Sequence, residues 1–151
     1  MKNNDSACGI ECEFKDVEDV WKFVQFSGID FGTRYFSVVF ASVLSEGRLI
    51  VLPDTYDSTL FQELIRHRFA SGGLVVHLYP AGAPKEKIDS YDDFLRSACE
   101  MIILMCDCFY VEIYCKNAAW LQTLLRTAKE IPGTSVCEKY VDTDTRERMY
   151  V

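Results

Sequence analysis

A chain of 151 residues, 49% hydrophobic and 26% charged with few glycines and prolines, has the composition of an ordinary globular protein and not of a disordered or fibrous one. Its length suits one domain, residues 1–151, that buries roughly 68–70% of its unfolded surface and so forms a core without staples. The formal net charge of -7 and pI near 4.8 repel a phosphate backbone, and no stripe of Lys or Arg offsets them locally, which argues against nucleic acid as a partner.

Cys8, Ile10, Cys12 and Phe14 alternate with Gly9, Glu11 and Glu13, the period of a half-buried strand whose carboxylates point to solvent. Over residues 16–26, Val17, Val20, Trp21 and Val24 recur at helical spacing. Gly28 and Gly32 end that pattern, and residues 35–44 read as a buried strand rich in Val and Phe. A turn at Ser45-Glu46-Gly47 leads to a short strand over 48–52, stopped by Pro53, so a hairpin is expected. Asp57 or Ser58 caps a helix running to residue 69, with Leu60, Phe61, Leu64, Ile65 and Phe69 inward. Ser71-Gly72-Gly73 ends it, and residues 74–79 form another strand.

Residues 80–87, with two prolines and a glycine, predict a loop too short to link domains. Ser90 caps a short helix carrying Tyr91, Phe94 and Leu95. The spacing of Tyr91, Leu95, Ala98, Ile102 and Met105 also suits one longer helix. A helix ending near Ala98 and a strand over 100–106 is preferred, because a turn at Asp107-Cys108 then pairs that strand with residues 109–116. Asp-Cys is a poor type I′ turn beside Asp-Gly. In the second strand Phe109, Val111, Ile113 and Cys115 alternate with Tyr110, Glu112 and Tyr114, giving it two distinct faces. Asn117 caps the last helix, with Ala118, Leu121, Leu124, Leu125 and Ala128 inward and Pro132-Gly133 beyond its end. Residues 135–141 and 146–151 form a closing hairpin around Asp142-Thr143-Asp144-Thr145. Hairpins mixed with helices predict an α+β fold, a single domain with an antiparallel-rich mixed sheet and about four helices packed on it.

The chemistry-bearing residues are sparse. Seven cysteines, at 8, 12, 99, 106, 108, 115 and 137, include no Cys-x-x-Cys pair, so zinc-ribbon and thioredoxin spacings are absent and no metal or cofactor is expected. Several fall on apolar strand faces, where a free cysteine acts as a small hydrophobe. Reduced thiols, an N-terminus leading into no continuous apolar stretch and the absence of an 18-residue uncharged run point to a cytoplasmic protein with no membrane association. Dinucleotide, Walker-type and Gly-x-Ser-x-Gly motifs are missing.

Two histidines are available as bases. His67 lies between Arg66 and Arg68 at a helix C-terminus, where an exposed imidazolium is favoured by the dipole. His77 shares a strand face with Val75 and Tyr79, and a partly buried imidazole there needs a partner. Glu11 with Glu13 and Asp92 with Asp93 sit on a polar strand side and in a first helical turn, and neither pair has split environments. Glu112, between Tyr110 and Tyr114, is either partly desolvated or on a solvent-facing edge strand. Asp142-Thr143-Asp144 is similar to an Asp-x-Asp metal-nucleotide grip, but these are also the residues of a polar hairpin loop.

Gly9-Ile10-Glu11-Cys12-Glu13-Phe14, Ser90-Tyr91-Asp92-Asp93-Phe94-Leu95, Val111-Glu112-Ile113-Tyr114-Cys115-Lys116 and the acidic turn leading to Arg146-Glu147-Arg148 together resemble a family of small uncharacterised bacterial proteins, a domain of unknown function. The resemblance implies one bacterial cytoplasmic domain and no particular activity, cofactor or catalytic residue. The expected function is a non-catalytic, acidic interaction domain that binds a protein partner or a second copy of itself. Its contacts would be the Tyr110, Glu112 and Tyr114 face or the hairpin carrying Asp142, Asp144, Arg146 and Arg148. The alternative is a small enzyme or small-molecule-binding protein with a pocket near His77 and Glu112.

Overall fold

The computed structural model describes residues 7–45, 48–56, 70–140 and 149. In chain order they form β1 (Ala7–Glu13), α1 (Val17–Phe23), β2 (Tyr35–Ser45), β3 (Arg48–Tyr56), β4 (Ala70–Tyr79), α2 (Tyr91–Arg96), β5 (Met101–Cys106), β6 (Tyr110–Cys115), α3 (Ala118–Glu130) and β7 (Ser135–Tyr140). The strands build one sheet in the order β3-β2-β4-β5-β6-β1-β7. All of its pairings are antiparallel, so the sheet is purer than the mixed one expected. The helix expected over 57–69 and the second arm of the closing hairpin, 146–151, lie outside the described residues. No described helix is long and apolar enough to cross a membrane.

Alternation along the strands gives the sheet two unlike faces. Ile10, Val76, Ile103 and Ile113 face Phe23 of α1, its C-cap Val24, and Leu121 and Leu124 from α3. Val75, Ile102, Leu104 and Tyr114 face the other way, under Ile88, Phe94 and Met149. The middle strands are thus covered on both sides. That is why β5 is buried from Met101 through Met105 and reads as a continuous apolar run although its neighbours are antiparallel. Each such side chain removed from water contributes about 1.5–3 kcal/mol.

The helix starts follow their caps. The Asp19 N–H donates to Asp16 Oδ1 at 3.1 Å, and the Trp120 N–H donates to Asn117 Oδ1 at 3.1 Å. Ser90 and Asp93 form a reciprocal capping box. The Ser97 N–H closes on the Phe94 carbonyl, so α2 stops at Arg96 and the single long helix over 91–105 does not form.

α1 stops at Phe23, short of the expected residue 26, and three strand boundaries also differ from the sequence reading. β3 runs past Pro53 to Tyr56 because it is an edge strand, and Pro53 lies opposite Phe40 beside a register shift, where a missing N–H breaks no ladder. β4 begins at Ala70, so Gly72-Gly73 continue the strand and do not end a helix. A Cβ on Gly72 would stand 3.4 Å from the Ser42 carbonyl oxygen. The β5–β6 turn is one residue longer than expected. Cys106 pairs with Tyr110, leaving Asp107, Cys108 and Phe109 in the loop, with φ of 53° and 67° at the first two.

β1 also departs from simple alternation. Ala7 faces Tyr140 while Gly9 faces Lys139, so Cys8 is the extra residue of a β-bulge. The bulge turns Cys8 toward the α2 side, whereas Ile10 and Cys12 face α1 and α3.

Candidate functional site

On the α2 side one row of residues crosses six of the seven strands. Ser37 stands opposite His77, His77 opposite Ile102, Ile102 opposite Tyr114, Tyr114 opposite Gly9 and Gly9 opposite Lys139. The two ends of this row carry the polar chemistry of the molecule.

At the β2–β4 end, the chain leaving β4 doubles back over the sheet as a strap, residues 80–90. Three tyrosine hydrogen bonds and two from backbone N–H groups outside the strap hold it. The Tyr79 hydroxyl accepts the Glu86 N–H at 3.0 Å and donates to the Glu86 carbonyl at 3.2 Å. The Tyr35 hydroxyl donates to the Ala83 carbonyl. The Ala98 N–H donates to Glu86 Oε2 at 2.7 Å, and the Met149 N–H donates to the Asp89 carbonyl at 3.0 Å. Between strap and sheet lies a cavity of about 500 Å³, with Ser37, Val39, His77 and Tyr79 on the sheet side and residues 85–89 and Met149 on the other.

His77 is 2% exposed and Ser37 1% exposed. Nδ1 of His77 lies 3.1 Å from the Tyr79 hydroxyl oxygen. His77 Nε2 and Ser37 Oγ are shielded from bulk solvent, and neither finds a hydrogen-bond partner among the described residues. Two adjacent orphans of this kind are costly, roughly 1–3 kcal/mol each, and a native structure keeps them for a reason. Burial pushes the His77 pKa down to about 4, so the ring is neutral near pH 7. Burial likewise raises the Tyr79 phenol to about 12, keeping its proton in place.

At the other end, Glu112 is fully buried on an interior strand, which overturns the edge-strand alternative. It stands opposite Leu104 on β5 and opposite Glu11 on β1. Like charges in register repel, and Lys139 relieves this. Its Nζ is 2.9 Å from Glu112 Oε2 and 3.6 Å from Glu11 Oε2, and it lies 5.4 Å from the centre of the Tyr114 ring. The Tyr114 hydroxyl donates to Glu112 Oε2 at 2.8 Å. This is an ion centre that ties β6, β1 and β7 together.

His77 and Glu112 therefore share a face but do not converge. Two strand spacings, roughly 10 Å, separate β4 from β6, and Glu112 does not line the cavity. Glu112 and Tyr114 are enclosed, so a partner meets them only if their cover moves, while Tyr110 is half-buried at the end of β6 beside Cys106, Asp107 and Phe109. Asp142, Asp144, Arg146 and Arg148 lie outside the described residues. Burial pushes the thiols of Cys12 and Cys99 up to about 12 and that of Cys115 to about 11, which opposes thiolate chemistry there. Among the described residues no group of three His, Cys, Asp or Glu side chains is placed to hold a metal.

Ser37 was not singled out in the sequence. Its signal is a serine among the apolar residues Phe36, Val38, Val39 and Phe40, in a strand that also carries Ser42 and Ser45.

Comparison with known proteins adds lineage to this geometry. The "Uncharacterized protein YncE" of Bacillus subtilis (strain 168) is 28% identical over 90 residues, 60% of this chain and 59% of that protein, so the match spans less than two thirds of the relative's length. No solved structure matches. The family model described as a protein of unknown function, DUF2691, matches residues 73–150. That span contains His77 and the motifs at 90–95 and 111–116, but neither Ser37 nor the motif at 9–14. With just over half of its residues matched, the chain belongs to the DUF2691 family.

Proposed function

We propose that this protein is a non-catalytic cytoplasmic domain that binds a small polar molecule in the cavity over Ser37 and His77. The observation that carries the reading is the pair of buried polar atoms, Ser37 Oγ and His77 Nε2, without a partner among the described residues, on cross-strand neighbours that line one cavity. Concave, mostly apolar sites with a few fixed polar groups are where small molecules bind. The cavity is within the usual size range for such ligands. Seven cysteines outside any disulfide suit a reducing compartment.

Binding is favoured over catalysis by the magnitude of one shift. A general base works best with a pKa near the operating pH. With its pKa near 4, His77 is a permanent hydrogen-bonding group and a weak base. The reading is tested by a thermal-shift screen of neutral, cationic and anionic polar fragments on wild type and His77→Phe. Stabilisation of wild type by one or more fragments, lost in His77→Phe, supports it. A ligand at 100 times its dissociation constant adds about 2.7 kcal/mol, which a melting curve resolves. Fragments that stabilise both proteins equally, or none that stabilises wild type, contradict it.

A further inference from the structure

Resting on that reading, we infer that the cavity recognises the amide edge of a neutral cyclic molecule, an N–H beside a C=O of the kind a pyrimidine base or a cyclic imide carries, read by His77 Nε2 and Ser37 Oγ together.

The hydrogen-bond inventory fixes the donor and acceptor pattern. A phenol has one proton and two lone pairs. Tyr79 gives its proton to the Glu86 carbonyl and takes the Glu86 N–H. The remaining lone pair meets His77 Nδ1 at 3.1 Å, so the arrangement that satisfies every partner places the imidazole proton on Nδ1. Nε2 is then a bare acceptor. Ser37, directly across the strand pair, supplies a hydroxyl free to turn and donate. An acceptor beside a donor is complementary to an N–H beside a C=O, and a cyclic amide presents both on one edge.

Charge selects a neutral ligand. The strap contributes Lys85, Lys87, Glu86 and Asp89 to the cavity, two of each sign, so their formal sum is zero. Lys87 and Asp89 lie 3.7 Å apart. With His77 neutral, the described lining residues carry no net charge to draw in a phosphate or an ammonium. Val39, Ile88 and Met149 add apolar surface to the described lining, which suits a ring body.

The probe is uracil, compared with 1,3-dimethyluracil, which keeps the ring and both carbonyls but has no N–H. Affinity is read by calorimetry and by the ¹⁵N shift of His77. Nitrogen shifts of the free protein should first show the proton on Nδ1. Uracil should bind and move the Nε2 signal, the dimethyl compound should bind at least tenfold more weakly, His77→Gln should lose a similar factor, and Ser37→Ala should lose severalfold while keeping its melting behaviour. Equal affinity for the two pyrimidines overturns the inference. So does a proton on Nε2. If uracil fails while another neutral fragment binds in a His77-dependent way, the amide-edge assignment falls and the cavity reading stands. If no fragment binds, both fall.

Discussion

Burial of His77 has a consequence for stability that a titration can read. Its pKa is about 4 in the fold against 6.5 when free, so between these values the unfolded chain holds the proton more tightly. Stability is then full above about pH 6.5 and falls as the pH drops toward 4, by about 3 kcal/mol from this residue. The difference in unfolding free energy between wild type and His77→Gln should change by that amount across the window, and urea melts at pH 7 and pH 4.5 measure it. A flat difference would mean that the ring is solvated. Gly9 makes a second prediction of this kind. A Cβ there would run into the Ile113 carbonyl oxygen and come within 3.3 Å of the Tyr114 ring, so Gly9→Ala should weaken the β1–β6 pairing and lower the melting temperature. Substitution at Gly82, where nothing lies within 4 Å but φ is +80°, should cost only backbone strain. The glycine at position 9 was visible in the sequence as one half of an alternation. Its close approach was not, because it depends on which strand pairs with β1.

Among the elements, the β5–β6 turn holds two non-glycine residues in the left-handed region, Asp107 at φ 53° and Cys108 at φ 67°. Such a conformation costs an L-residue roughly 1–2 kcal/mol, partly offset for glycine by its greater freedom when unfolded. Cys108→Gly should therefore stabilise the protein by about 0.5–1 kcal/mol, seen as a higher urea midpoint with an unchanged slope. The turn illustrates where sequence reading stops. The Asp-Cys pair marks the break between two apolar runs, but it carries no information on whether two or three residues span it. β3 and β4 show the same limit: Pro53 and Gly72-Gly73 are read as breakers from local propensity. Their tolerance comes from an edge position and a register shift, both long-range properties. The helices, by contrast, are legible locally: α1 by the spacing of its apolar residues, α2 and α3 because their caps, Ser90 and Asn117, act within three residues of themselves.

For the molecule as a whole, the α2 face is the less legible half. Periodicity separates the α1 and α3 face cleanly, since its residues are apolar in β1, β2, β4, β5 and β6. The opposite face mixes Val75, His77, Ile102, Glu112 and Tyr114, and only the strand order reveals that its polar members, His77 on β4 and Glu112 on β6, are held apart by β5. The Glu112, Lys139 and Glu11 centre joins three strands remote in sequence. Removing its cation with Lys139→Met leaves a buried carboxylate uncompensated and should cost about 3–5 kcal/mol. Adding Glu112→Gln should restore much of that loss, a coupling that chemical denaturation of the single and double variants will expose. Ser37 and His77 at the far end belong to the cavity, and the central claim is that they meet a small molecule there. The most direct measurement is the ¹⁵N shift of His77 Nε2, in a chain with only two histidines, as the sub-kilodalton fraction of the protein's own cells is titrated in. The account predicts a saturable change at Nε2, diminished in Ser37→Ala. A signal that stays fixed throughout the titration would contradict it.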